Sequence, residues 1–293
     1  MKTIAGIGEI LWDMFPQGKV LGGAPANFAC HASQFGFEGV AVSAIGDDDL
    51  GREIIDCLSN IATKNFSSLL ETVNFPTGTV QVTLNEKGVP QYEICENVAW
   101  DNIPFTSKTE ALAKKCAAVC FGSLAQRNSI SRTTILKFLE LIPENALKIF
   151  DVNLRQHFYS KEIVHESLLK SNVLKINDEE LTVVAELLGF TNLSEEEICK
   201  KLLDSYHLKM VIETKGENGS FVFTQKETSF FETPKVLVAD TVGAGDSFTG
   251  AFVAALLKEK TIREAHELAV EVSAFVCTQH GATPKLPDNL IKQ

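Results

Sequence analysis

Short apolar runs alternate with amphipathic stretches along most of the chain. "TIAGIGEIL" near the start predicts a buried strand, and "APANFACHASQFG" a helix closed by Gly36. "VAVSAIG" predicts the next strand, and "LGREIIDCLSN" a helix carrying Ile54, Ile55 and Leu58 on one face. "AAVCFGSL", "LKIFDVN", "VLKIN" and "MVIETKG" each read as a short apolar strand ending in polar or glycine residues, with helical patterns between most of them. Such repetition predicts an α/β fold with a mainly parallel sheet covered on both faces. Ligands of these sheets bind beyond the carboxyl ends of the strands, which is where Asn153, Asn177 and Lys215 fall.

One region breaks the rhythm. From Thr77 the chain reads as two strands, Thr79 to Leu84 and Gln91 to Cys95, around a turn "NEKG". Val80, Val82 and Leu84 alternate with Thr79, Gln81 and Thr83, the pattern of a two-faced hairpin rather than a buried parallel strand. A two-faced hairpin inserted in an α/β domain suits a cover. No repeat or linker divides the 293 residues, so a single domain is expected.

Composition narrows the function. With 45% apolar and 22% charged residues the chain reads as soluble and globular. The net charge of −11 argues against a nucleic-acid partner, and no apolar run is long enough to span a membrane. The seven cysteines are irregularly spaced and read as free thiols. With Glu9 and Asp13 inside the first apolar stretch there is no signal-peptide core, so a cytoplasmic location is expected.

Two glycine-rich stretches could carry chemistry. In "DTVGAGDSFTGAF" (Asp240 to Phe252), Gly243, Ala244 and Gly245 precede Asp246 and a run of helical spacing. Unpaired N–H groups at a helix start bind anions, and small residues let the anion approach. A carboxylate there opposes simple anion binding but suits a base that deprotonates an attacking hydroxyl. Read alone, Asp246 is equally an N-cap. The second stretch, "LGGAPANFAC", sets Gly22, Gly23 and Asn27 at another helix start, with Asp13 upstream. Asn and Asp can read vicinal hydroxyls, though the stretch also reads as a tight turn before a closely packed helix. Neither the P-loop nor the dinucleotide fingerprint is present.

Together these motifs resemble the signatures of the ribokinase-like (PfkB) carbohydrate kinase family. "GGAPANFA" is similar to its N-terminal signature and "DTVGAGDSFTGAF" to its C-terminal one. Between them, "AIGDDDLG", "AWD", "FDVNLR", "KINDEE" and "ETKGENG" extend the likeness over nearly the whole chain, most closely to the fructokinase branch. The resemblance implies a three-layer α/β/α fold with a small β-sheet lid formed by roughly 12–21 and 77–100. It implies transfer of the γ-phosphoryl group of ATP to a primary hydroxyl of a monosaccharide, D-fructose first.

The resemblance also implies roles. Asp246 would be the base. Ala244, Gly245 and the Asp246 N–H would form the anion hole, with Gly243 permitting the turn. Asp13, Gly23 and Asn27 would hold sugar hydroxyls, and Arg155 would neutralise phosphate or touch the sugar. Asn177 and Glu180 would organise Mg2+ through water. Thr214, Lys215, Gly216 and Cys277 would line the nucleotide, and Asp240 and Val242 would offer oxygens to K+. Plainer readings stand beside these. Asn177 is also a candidate N-cap, Glu180 an exposed helix charge, Lys215 a loop lysine, and Arg155 a partner for Asp151. His31, Trp12 and Trp100 read as packing residues, with Trp100 also a candidate border of the sugar pocket. A homodimer through an apolar lid face is expected. Rival substrates are ribose, 2-keto-3-deoxygluconate, a nucleoside or a phosphorylated sugar, and a non-catalytic sugar-binding regulator is the alternative outside catalysis. Between Asp13 and Asn27 only Lys19 is basic, which weighs against a phosphosugar.

Overall fold

The structure is a computed structural model that describes residues 1–61, 65–84 and 90–292, so the expected turn "NEKG" lies outside the described residues. Nine strands form the large sheet: β1 (Thr3–Ile7), β4 (Glu38–Gly46), β5 (Leu69–Val73), β8 (Cys116–Phe121), β9 (Leu147–Asp151), β10 (Val173–Asn177), β11 (Met210–Thr214), β12 (Ser220–Thr224) and β13 (Thr228–Phe231). Their order is β13-β12-β11-β10-β9-β8-β1-β4-β5. Every pairing from β11 to β5 is parallel, while β12 and β13 close one edge antiparallel.

Alternation along each strand feeds two cores. Ile4 faces one layer and Ala5 the other, as do Cys120 and Phe121. Helices α1 (Ala24–Gln34), α2 (Asp49–Ile61), α8 (Ala244–Leu257) and α9 (Ile262–Cys277) cover one face. Helices α3 (Ser107–Ala113), α4 (Ser129–Leu141), α5 (Lys161–Lys170), α6 (Asp178–Leu188) and α7 (Glu195–Ser205) cover the other. In α2 the expected face narrows: Ile54 and Leu58 are buried, but Ile55 is exposed.

The hairpin is present as β6 (Gly78–Leu84) and β7 (Pro90–Ile94), and it does not stand alone. β2 (Leu11–Phe15) and β3 (Gly18–Gly22) join it in a second sheet ordered β3-β2-β6-β7, in which β2 and β6 run parallel. This sheet ends at Ile94. The following residues return to the core, and Trp100 is wholly buried there, stacked on Arg127, so it is a packing residue. Val80, Val82 and Ile94 are buried against the molecule itself. The apolar face on which a dimer was expected is thus already covered, and the outward Gln81, Thr83 and Glu93 are polar.

By its apolar composition the run "VLVA" just before Asp240 reads as a strand ending near that residue. Residues 232–239 are instead irregular, and Leu237 and Val238 are exposed, because no neighbouring strand pairs with them among the described residues.

Candidate active site

The carboxyl ends of β1, β9 and β10, the start of α8 and the inner face of the small sheet enclose a cavity of about 730 Å³. Asp13, Gly23, Asn27 and Arg155 line it, as do Asn177, Glu180, Gly243, Gly245 and Asp246. Residues from five separate segments therefore line one cavity.

Gly243 is the residue before α8 and holds φ 78°, with no side chain capping the helix. A Cβ added there would lie 2.3 Å from the Ala282 carbonyl oxygen, so only glycine fits. Asp246 is consequently not an N-cap. It sits in the first turn, its Oδ2 accepting a 2.8 Å hydrogen bond from Asn27 Nδ2. Asn27 can reach it because α1 and α8 touch closely at Gly250, where an added Cβ would lie 3.0 Å from the Phe28 carbonyl oxygen. The Gly245 and Asp246 amides belong to the helix's unpaired first-turn donors, while the Ala244 N–H turns back to Thr241 at 3.3 Å. Desolvation raises the Asp246 pKa to about 6, Asp151 adds to the rise, and the Asn27 bond with Lys175 and Arg155 opposes it.

α6 begins differently. Asn177 Oδ1 accepts the Glu180 N–H at 2.7 Å, and Glu180 Oε2 accepts the Asn177 N–H at 3.0 Å. Asn177 is thus an N-cap, as its plainer reading held. Glu180 is buried rather than an exposed charge, and its Oε1 accepts the Leu154 N–H at 3.0 Å.

Three wall residues had not been singled out for chemistry. Lys175 and Asp151 are buried and form an ion pair at 3.2 Å. Lys175 Nζ lies beneath the start of α8, 3.1 Å from where a Gly245 Cβ would be. Burial disfavours the ammonium, but Asp151, Glu180 and Asp246 together hold its pKa above the ordinary value. Glu9 is the third, buried at the end of β1. The available signal was a charge inside an apolar strand run, since buried charges are rare unless paired. Because Asp151 pairs with Lys175, Arg155 does not fill that role. It is exposed and donates to the Leu154 carbonyl at 3.1 Å, and its charge lowers the pKa of Glu9, Asp13 and Asp246.

The nucleotide-side residues stand outside this cavity lining. Thr214 ends β11 in register with Asn177. Lys215 is ion-paired with Glu195, in keeping with an ordinary loop lysine. Gly216 accepts from Thr233 Oγ1 at 2.5 Å. The Cys277 carbonyl receives the Ala239 and Asp240 amides at 2.8 and 3.3 Å. Asp240 accepts the Val242 N–H at 3.0 Å and the Gly281 N–H at 3.2 Å, which gathers the loop expected to offer cation oxygens. His31 and Trp12 are buried, donating to the carbonyls of Ala282 and Leu50.

Among the described residues of the cavity wall, Glu9, Asp13, Asp151, Glu180 and Asp246 face only Lys175 and Arg155 as cations. Burial pushes Glu9 up to about 7 and Asp13 to about 6. This surplus of negative charge fits a bound cation. No three His, Cys, Asp or Glu side chains converge in a metal-holding cluster among the described residues.

The sequence profile of the pfkB family carbohydrate kinases matches residues 15–289. The chain belongs to that family. It is 31% identical to "Probable fructokinase-4" of Arabidopsis thaliana, over 98% of this chain and 94% of that protein. It is 28% identical to the ATP-dependent 6-phosphofructokinase of Thermoanaerobacterium thermosaccharolyticum, over 96% of this chain and 90% of that protein. Its fold superposes, at a TM-score of 0.81 and 23% identity, on a double mutant of the Vibrio cholerae O395 fructokinase in its fructose-, ADP- and potassium-bound form, covering 100% of this chain and 97% of that one. The chain is a carbohydrate kinase with the ribokinase-like fold, and no helix among its described residues is long and apolar enough to cross a membrane.

Proposed function

We propose that this kinase phosphorylates a neutral monosaccharide, D-fructose first, at a primary hydroxyl. The carrying observation is Asp246: a carboxylate in the first turn of α8 that does not cap its helix, faces the cavity and is held by Asn27. With a pKa of about 6 it is deprotonated at neutral pH yet basic enough to accept a proton.

In the reaction, Asp246 takes the hydroxyl proton as the sugar oxygen bonds to the γ-phosphorus of ATP. The bond to the β–γ bridging oxygen breaks, and ADP leaves with the electron pair. The amides of Gly245 and Asp246 receive the transferring oxygens, and Lys175 supplies positive charge beneath them. Mg2+, when bound, neutralises phosphate charge; Asn177 and Glu180 would hold it through water. Asp240 and the Val242 backbone would hold K+. Thr214, Gly216 and Cys277 would border the nucleotide, while Lys215 is committed to Glu195. Asp13, Gly23, Asn27 and Arg155 would hold the sugar. The small sheet would act as the lid, joined to the β9 loop where Gln156 Nε2 donates to the Tyr92 carbonyl at 2.6 Å.

Charge selects the substrate class. A sugar phosphate or a sugar acid would bring anionic charge towards Glu9 and Asp13, with Arg155 alone to meet it beyond the Lys175–Asp151 pair. A neutral sugar meets no such cost. The fructokinase relative supports fructose, and the phosphofructokinase relative makes fructose 6-phosphate the necessary control. A coupled ADP-release assay with Mg-ATP, run with and without K+ on fructose, ribose, glucose, 2-keto-3-deoxygluconate, adenosine and fructose 6-phosphate, tests this. Turnover on fructose is expected. Preferred turnover of fructose 6-phosphate or the sugar acid would overturn the charge argument.

A further inference from the structure

Glu9 takes no part in the phosphoryl transfer described above. It follows β1 in the connection to β2, is 3% exposed, and lines the same cavity as Asp13, Asn27 and Asp246. Its Oε2 has no hydrogen-bond partner among the described residues. Buried polar atoms are seldom left unpaired in a folded protein, because the lost hydration is not replaced. Among the other buried carboxylates of the wall, Asp246 has Asn27 and Glu180 has two backbone amides, while Asp151, whose Oδ1 also lacks a hydrogen bond, is compensated by its ion pair with Lys175. An unpaired carboxyl oxygen on a cavity wall is completed by what enters the cavity.

Sugar hydroxyls suit it. Each both donates and accepts, and brings no charge to a site already rich in carboxylates. Burial raises the Glu9 pKa to about 7; Arg155 opposes the rise, while Asp246 and Asp151 add to it. Near neutral pH its carboxyl therefore offers either an O–H donor or an acceptor.

We infer that Glu9 is a specificity-determining residue whose carboxyl hydrogen-bonds one non-reacting hydroxyl of the sugar. The inference rests on the sugar-kinase reading above. It makes Glu9 a contact to a part of the substrate that is not transformed, so its loss acts on KM rather than kcat.

The test uses the full-length enzyme and whichever panel sugar the wild type phosphorylates, so failure of the fructose reading shows first in the wild type and stays separate. Glu9→Ala, Glu9→Gln and the wild type are assayed on that sugar and its monodeoxy analogues. Glu9→Ala is expected to raise KM about 10- to 100-fold with kcat within about threefold. Glu9→Gln, which keeps a donor and an acceptor in the same shape, is expected to stay within about fivefold of the wild-type KM. On one deoxy analogue, the one lacking the hydroxyl that Glu9 holds, the wild type is expected to show the loss already, and Glu9→Ala to add no more than about twofold. Equal losses on every analogue, or an unchanged KM in Glu9→Ala, would overturn the inference. Retained melting temperature in Glu9→Gln guards against a folding defect.

Discussion

Two helices begin at the same cavity and finish their first turns in opposite ways. α6 closes its own start: Asn177 and Glu180 exchange hydrogen bonds with each other's backbone, and Glu180 takes a third amide from Leu154. α8 starts at a left-handed glycine with no side-chain cap, and its one acidic first-turn residue is turned to Asn27 on another helix. A capped start stabilises the protein, by about 1 kcal/mol for a typical cap. An uncapped start beside a cavity leaves donors for a ligand. The difference teaches that the motif of stability and the motif of chemistry can occupy equivalent positions, and that what separates them is where the side chains are spent.

The largest expected effect strikes the open helix. Asp246→Asn should lower kcat by about a thousandfold while calorimetry still detects sugar and ATP binding. In the wild type, kcat/KM should fall as pH drops through about 6, where this carboxylate protonates. The same residue carries a stability penalty. Its folded pKa exceeds its unfolded one, so the charged form is disfavoured in the fold, and the penalty grows as pH rises from about 4 to about 6. Asp246→Asn should therefore melt higher than wild type at pH 7, and lose that advantage near pH 4. Near-normal turnover in this variant would break the contrast outright.

Gly243→Ala comes next. Its Cβ would meet the Ala282 carbonyl at a φ that alanine resists, so a stability loss of about 2 kcal/mol is expected, visible in urea titration. Unchanged stability would mean that the left-handed start is not needed.

The smallest effect belongs to the closed helix. Asn177→Ala should cost about 1 kcal/mol, and Asn177→Asp should restore it. Thermal melts of the pair decide the matter. If alanine melts like the wild type, the cap is not what holds α6.

Much of this was legible in residue order. Strand ends at Asn153, Asn177 and Lys215 could be read from where apolar runs stop, and the glycine motifs marked the starts of α1 and α8. What could not be read depends on contacts between segments. Whether Asp246 caps α8 turns on the backbone angle of Gly243, which the Ala282 loop imposes. Glu180 looked exposed because the amide that buries it comes from the β9 loop. Lys175 and Asp151 meet through the register of β10 on β9, where they lie directly opposite one another. The run Val236 to Val238 has a strand's composition and no strand to pair with among the described residues, so local apolarity misled there.

The small sheet has a consequence for synthesis. Its parallel seam joins Trp12 to Thr79, and its last strand ends at Ile94, so every strand of the cover has been translated within the first third of the chain. Asp246 follows about 150 residues later. A nascent polypeptide thus carries Glu9, Asp13 and Asn27 long before it carries Asp246, and a chain cut short between the two has one wall of the cavity and lacks the helix start that faces it.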